Sequence, residues 1–271
     1  MLFKFNHSYV DGQGALYIIR LLISILNKTE IDGNIDYISD LEYATQIGTT
    51  KFKEHLNYNN KIKKLSDDSE NQLIIKRVKI DKNSNAILPK IIKVLTSYYT
   101  NDNQTFLIPT SIRKREENKI YISNLSLPLY LKINKNDEWN DIYLKIYKGI
   151  NEKKNLNIYN IKYGMLLKVN NNIFKIMIKM SNFIQRKTRK YFTCGSITNM
   201  GIINLKNYSS DKIKINRMFN IPFFQPLLPL SITIMESANG IDIVFVANSS
   251  VINEKNVENI LNEIKEIIEK N

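Results

Sequence analysis

Apolar residues recur at helical spacing over positions 13–27 (Ala15, Ile18, Ile19, Leu22, Ile23, Ile25, Leu26) and stop near Asn27, which predicts an amphipathic helix. Just before it, residues 2–6 read as the end of a strand. From 28 to 70 the chain is polar and weakly periodic, which predicts a linker holding one or two short helices. "NQLIIKRVKI" at 71–80 alternates like a strand, and "AILPKIIKVLTSYY" predicts a helix over 86–99 with Pro89 in its first turn. Strands are predicted at 105–112 and 120–133, on either side of the charged turn "RKREENK". "NDEW" supplies an Asn/Asp cap, and the periodic run after it predicts a helix over roughly 137–153. Residues 158–188 read as mostly helical and end in the basic run "QRKTRK". "YFTCGSITNMG" reads as a strand entering a polar turn at Gly201. "PLSITIME" and "GIDIVFVAN" predict two strands joined at "SANG", and the last predicted element is a helix, "NEKNVENILNEIKEIIEK". This order is that of a mixed α/β chain without internal repeats.

Composition narrows the class. With 271 residues and 43% hydrophobic content the chain can bury a substantial core, as one large or two modest domains. The polar stretch suggests a division into residues 1–70 and 71–271. A net charge of +13 would favour acidic partners, but the lysines are scattered among Asn and Ile. They read as a solvated surface, and no nucleic-acid partner is expected. One cysteine, Cys194, excludes an intramolecular disulfide and makes a Cys-based metal site improbable. The two histidines, His7 and His55, are not spaced as a metal pair, and His55 in "KFKEHLNY" reads as a surface or linker residue. The segment "ALYIIRLLISILN" is short for a membrane span and carries Arg20, and "MLFKFNHSYVDG" lacks a cleavable apolar core. A cytoplasmic, soluble protein without a transmembrane segment is therefore expected.

His7 stands four residues ahead of Asp11-Gly12. A neutral imidazole there could take a proton from a hydroxyl, amine or thiol, because its ordinary pKa lies near working pH. Asp11 could brace the turn against a buried arginine, and Gly12 would permit a tight path into the helix. On spacing alone the plainer reading is the stronger one: a loop histidine, with Asp11 starting a helix. Cys194, in an apolar strand without a histidine nearby in sequence, reads as a buried structural thiol.

"NHSYVDGQGA" resembles the HHxxxDG signature of the chloramphenicol acetyltransferase-like superfamily, which includes peptide-synthetase condensation domains, wax ester synthases and alcohol acetyltransferases. Three further stretches match in order. "FLIPTSIRKR" is similar to that superfamily's Pro-x-x-x-Arg strand, and "NLSLPLYLKINKNDEWNDIYLKIYKGINEKK" to the segment after it. "SITNMGIINL" resembles the Ser-Asn-x-Gly turn as bacterial alcohol acetyltransferase-like proteins carry it. The resemblance covers essentially the whole chain and implies an α/β two-lobe sandwich, here a C-terminal lobe plus an incomplete N-terminal lobe.

The resemblance also implies roles. His7 corresponds to the general base, and Asp11 to a structural aspartate salt-bridged to an arginine, Arg113 first and Arg115 next. Asn6 stands where the signature's first histidine would be. Thr198 and Asn199 correspond to the turn approaching the active-site tunnel, where Thr198 could hydrogen-bond the oxyanion. The donor would be a thioester, acyl-coenzyme A or an acyl carrier protein, and the acceptor an alcohol or amine. Neither a covalent intermediate nor a metal is implied. The basic run Arg186, Lys187, Arg189, Lys190 could meet a coenzyme A phosphate or an acidic carrier, though a solvated helix end is the better reading. Relatives carry a long segment before the signature, which here begins five residues after Met1. The expectation follows that a partner chain supplies the missing N-terminal strands, or that the chain is an inactive fragment.

Overall fold

The computed structural model describes residues 1–29, 34–51, 60–66, 72–113, 119–157, 171–225 and 227–270. In chain order the elements are α1 (Gly12–Leu26), β1 (Asn34–Asp36), α2 (Asp40–Ile47), β2 (Asn60–Lys61), β3 (Leu73–Ile80), α3 (Ile87–Thr96), β4 (Asn103–Ser111) and β5 (Lys119–Tyr121). They continue with β6 (Ser126–Asn134), α4 (Trp139–Asn151), α5 (Asn171–Thr188), β7 (Lys190–Tyr191), β8 (Ser196–Ile203), β9 (Leu230–Ser237), β10 (Gly240–Asn248) and α6 (Glu254–Glu269).

Six strands form one mixed sheet in the order β3-β10-β9-β8-β4-β6. β8 is parallel to both of its neighbours, and the other pairs are antiparallel. All nine residues of β10 are buried, as expected where both faces of a strand are covered. Side chains alternate between the faces. On one face, Ile232 and Ile234 of β9 and Ile241, Ile243 and Phe245 of β10 join the apolar stripes of α3, α4 and α6 in the main core. On the other, Met235 and Met200 pack with Leu16 of α1. Thr198 lies directly across from Thr233, two positions from Met235 and therefore on the α1 face.

The segment 60–66 is tied to the sheet's surroundings. β2 pairs with β7, Ile62 bridges to Tyr99, and Leu65 bridges to Ile252. Buried Asn60 satisfies its amide by donating to the carbonyls of Tyr191 and Phe192 and accepting from the Thr105 N–H. α2 closes a smaller core in which Tyr43 packs edge-on against Tyr121.

Several elements depart from the pattern-based expectation. Residues 2–6 form no strand; a turn follows at 7–9. The strand expected over 120–133 is split into β5, which pairs in parallel with β1, and β6, which joins the main sheet. The break at 122–125 is where backbone groups leave the ladder to bond the Asp11–Arg113 pair described below. The cap of α4 falls on Glu138, whose N–H donates to Asp141 Oδ2 at 2.9 Å, while Asp137 turns back to accept from Asn134. Of the helix expected over 158–188, Asn171–Thr188 is described, and 158–170 lies outside the described residues. His55 and Arg115 also lie outside them.

Candidate active site

Asp11 is the residue from which the site is built. It is 4% exposed and serves as the N-cap of α1, accepting from the Gly14 N–H through Oδ1 at 2.9 Å. Its Oδ2 accepts from the Leu125 N–H at 2.9 Å. Arg113 reaches both oxygens, Nη1 to Oδ2 at 2.7 Å and Nη2 to Oδ1 at 2.8 Å, the two-pronged arrangement a planar guanidinium favours. The remaining donors of Arg113 are also used. Nε donates to the Tyr121 carbonyl at 3.0 Å, Nη1 to Ser111 Oγ at 3.3 Å, and Nη2 to the Ser123 carbonyl. One ion pair thus joins the start of α1, the end of β4 and the β5–β6 connection. Buried charges persist only when their hydrogen-bonding capacity is filled in this way.

The loop ahead of Asp11 presents His7. Asn6 shapes that loop: its backbone carbonyl accepts from the Tyr9 and Val10 N–H groups, and its side-chain oxygen accepts from the Ser8 N–H at 3.0 Å. Asn6 is therefore a turn-former here, which a histidine could not be in the same way. His7 is exposed. Asn124, in the β5–β6 break, holds the loop by donating through Nδ2 to the His7 carbonyl at 2.9 Å and through its N–H to the Tyr9 carbonyl at 2.9 Å. The same Nδ2 lies 3.4 Å from His7 Nδ1, so a donor faces that ring nitrogen and favours the tautomer with its proton on Nε2. Pattern reading passed over Asn124. Its signal was the polar "SN" interrupting an otherwise apolar run.

Gly12 opens α1 without left-handed backbone, and a Cβ there would fall 2.5 Å from Met200 Cε, a flexible side-chain end. The tight approach belongs to Gly14, where a Cβ would fall 2.1 Å from the Ile122 carbonyl oxygen. Gln13 donates to the Met200 carbonyl at 3.1 Å, so the first turn of α1 meets β8 directly.

Thr198 is half-buried within β8 and is part of no turn. The irregularity comes one residue later, between Asn199 and Ile202, with Gly201 at φ +76°. Asn199 is exposed and shapes it, accepting from the Gly201 N–H at 2.8 Å and donating to Glu236 Oε1 at 3.3 Å. Burial pushes the Glu236 carboxyl up from the ordinary carboxylate range, partly offset by that bond. Cys194 is fully buried, and burial raises its thiol far above the working range, which makes it a structural thiol. Lys187 and Lys190 are exposed at the end of α5 and beyond it.

No protein-family model matches the chain, and no curated protein matches it in sequence. Solved structures do match in fold. The condensation domain of the monacolin K polyketide synthase MokA aligns with a TM-score of 0.66 at 9% identity, over 97% of this chain and 67% of that one. The cyclization-docking bidomain EpoB from Sorangium cellulosum gives 0.56 at 11% identity, over 97% and 58%. A mutant starter condensation domain of rhizomide synthetase RzmA, in complex with C8-CoA, gives 0.55 at 10%, over 98% and 65%.

The chain has the chloramphenicol acetyltransferase-like fold. Against these three relatives in fold it spans 58–67% of their length. Within the fold, the Asp11–Arg113 pair ties the loop that bears His7 to the sheet, and β8 carries Thr198 on the face against which α1 packs. Among the described residues no helix is long and apolar enough to cross a membrane, and no cluster of three or more His, Cys, Asp or Glu could hold a metal ion.

Proposed function

We propose that the chain is a condensation-type acyltransferase that moves an acyl group from a thioester to an alcohol or amine. His7 takes the acceptor's proton at Nδ1, its unprotonated nitrogen, as the acceptor's oxygen or nitrogen attacks the thioester carbonyl. In doing so the acceptor displaces the long contact from Asn124 Nδ2 to His7 Nδ1. The tetrahedral intermediate then collapses, the C–S bond breaks, and the proton passes from the imidazolium to the leaving thiolate. Thr198 would supply a hydrogen bond to the developing oxyanion. The observation that carries this reading is the fully bonded Asp11–Arg113 pair, which fixes an exposed histidine next to the start of α1 on a fold that condensation domains share. A thioester of coenzyme A and one on a carrier protein both fit. The relative in fold that holds C8-CoA supports the first, and the synthetase origin of the relatives supports the second. Purified protein incubated with acyl-coenzyme A or an acylated carrier, and with a panel of alcohols and amines, tests the proposal. His7→Ala should lower turnover by about 10²–10⁴-fold, the usual contribution of a positioned base. Equal turnover by both proteins refutes the role.

A second reading concerns completeness. Met1, Leu2 and Tyr9 are 80%, 85% and 59% exposed, and Ile25 and Leu26 at the end of α1 are 63% and 61% exposed. Together with the 58–67% span, this apolar surface favours a further polypeptide segment, supplied by the same or a partner chain, that covers the N-terminal side and completes the site. Turnover should then appear or rise strongly on adding that segment. Full activity of the present chain as a monodisperse monomer argues against the idea.

A further inference from the structure

Past the bulge in β8 the molecule opens onto a cleft of about 950 Å³, within the range of small-molecule sites. It lies where the ends of β8 and β9 meet the end of α1 and the loop before α3. Two cross-braces hold its outer wall. Asn27 donates to the Ser209 carbonyl at 3.1 Å, and Asn239 donates to the Asn216 carbonyl at 2.8 Å.

Four ionisable side chains line the cleft. Lys206, Asp211 and Lys214 are exposed at the rim, whereas Glu236 is half-buried. The Glu236 carboxylate is held by one neutral donor, the Asn199 amide at 3.3 Å, and among the described residues no ion pair reaches it, although both rim lysines share its cleft. A carboxylate offers about four acceptor positions. Half-buried and with a single long neutral bond, it leaves most of that capacity open to water or to a ligand in the cleft. A charge-assisted bond from a cation is the interaction that fills it best. Burial raises the carboxyl pKa, and a cation bound beside it would oppose that shift by favouring the charged form.

We propose that this cleft binds a small molecule bearing a protonated amine, with Glu236 as its counter-charge and the surrounding asparagine and serine groups as its polar wall. Ile202 on its rim is two residues from Met200, which lies against the start of α1. Two Cα steps cover at most about 7.6 Å, so a bound amine would sit beside the bulge that Asn199 shapes. The proposal is independent of the role of His7.

Ligand-observed NMR on the full chain tests it, with n-butylamine, n-butanol and inorganic phosphate as probes. Protonated butylamine should bind saturably, and the other two at least tenfold more weakly. Glu236→Gln keeps an acceptor for Asn199 and should cost the amine at least tenfold in affinity, with no loss of thermal stability. Ile202→Arg, at a position 81% exposed, should also displace the amine by placing a cation at the rim. Unchanged amine affinity in both variants overturns the proposal. So does the absence of saturable amine binding, or phosphate binding stronger than amine binding that survives Glu236→Gln, which would assign the cleft to the rim lysines.

Discussion

Removing Asp11 should unfold more than a loop. Asp11→Ala deletes a helix cap, worth about 1 kcal/mol, and the acceptor for the Leu125 N–H. It also strands the Arg113 guanidinium, whose side chain is 11% exposed, without its counter-charge. Breaking a buried pair of that kind costs about 3–5 kcal/mol. These terms overlap, so a total of about 4 kcal/mol is expected. Arg113→Ala should cost a similar amount, because it leaves a carboxylate that is 4% exposed with only two backbone donors. The double variant removes both charges and is therefore expected to cost about 5 kcal/mol, against about 8 for the sum of the single variants, which gives a coupling of about 3 kcal/mol in the cycle. Urea unfolding followed by the fluorescence of the single tryptophan, Trp139, measures all four proteins. Additivity within about 0.5 kcal/mol would refute the claim that the two side chains act as one buried unit.

Other expectations are separable from that one. Gly14→Ala drives a Cβ into the Ile122 carbonyl and should destabilise by about 2 kcal/mol or more, whereas Gly12→Ala meets only the movable end of Met200 and should cost less than half as much; urea midpoints decide. Nitrogen-15 spectra of His7 should show the neutral ring protonated on Nε2, and a neutral ring protonated on Nδ1 would contradict the contact with Asn124. The raised carboxyl pKa of Glu236 means that the folded state holds its proton more tightly than the unfolded one. The stability this contributes is present below the ordinary value of 4.5 and is lost as pH rises through the folded pKa. Glu236→Gln should therefore flatten that part of the melting-temperature profile and raise stability at neutral pH.

The elements most legible in the sequence are those whose burial is repetitive. β9, β10, α1 and α6 lie within a residue or two of where periodicity puts them, because one face or both faces of each are apolar without interruption. The pairing of Arg113 with Asp11 was anticipated through the resemblance, and the geometry contains that contact. What pattern could not convey is where long-range polar bonds override a local preference. The apolar run 120–133 suits one strand, and it breaks because Ser123 and Leu125 serve a carboxylate and guanidinium from elsewhere in the chain. Residues 2–6 carry strand-like residues, yet no neighbouring strand is present to pair with them in the described structure. Gly14 rather than Gly12 makes the close approach, since the obstacle, the Ile122 carbonyl, lies 108 positions away in sequence and no local spacing encodes it. Glu236 stood out in no motif. Its interest comes from half-burial at a strand end beside Asn199.

The strand order has a consequence for synthesis. β3 is finished at residue 80, but its neighbour in the sheet, β10, begins at residue 240. At about 5–20 residues per second on the ribosome, β3 waits roughly 8–32 seconds before its partner exists. β8 likewise lacks one of its two neighbours until β9 is made, leaving the β4–β6 hairpin as the first pair in the large sheet that can close. During that interval an Ile-rich strand presents open backbone groups, and other nascent chains offer it the same hydrogen bonds. The yield of folded protein should therefore depend on how quickly residues 230–248 follow, and holdase chaperones that shield β3 should raise it.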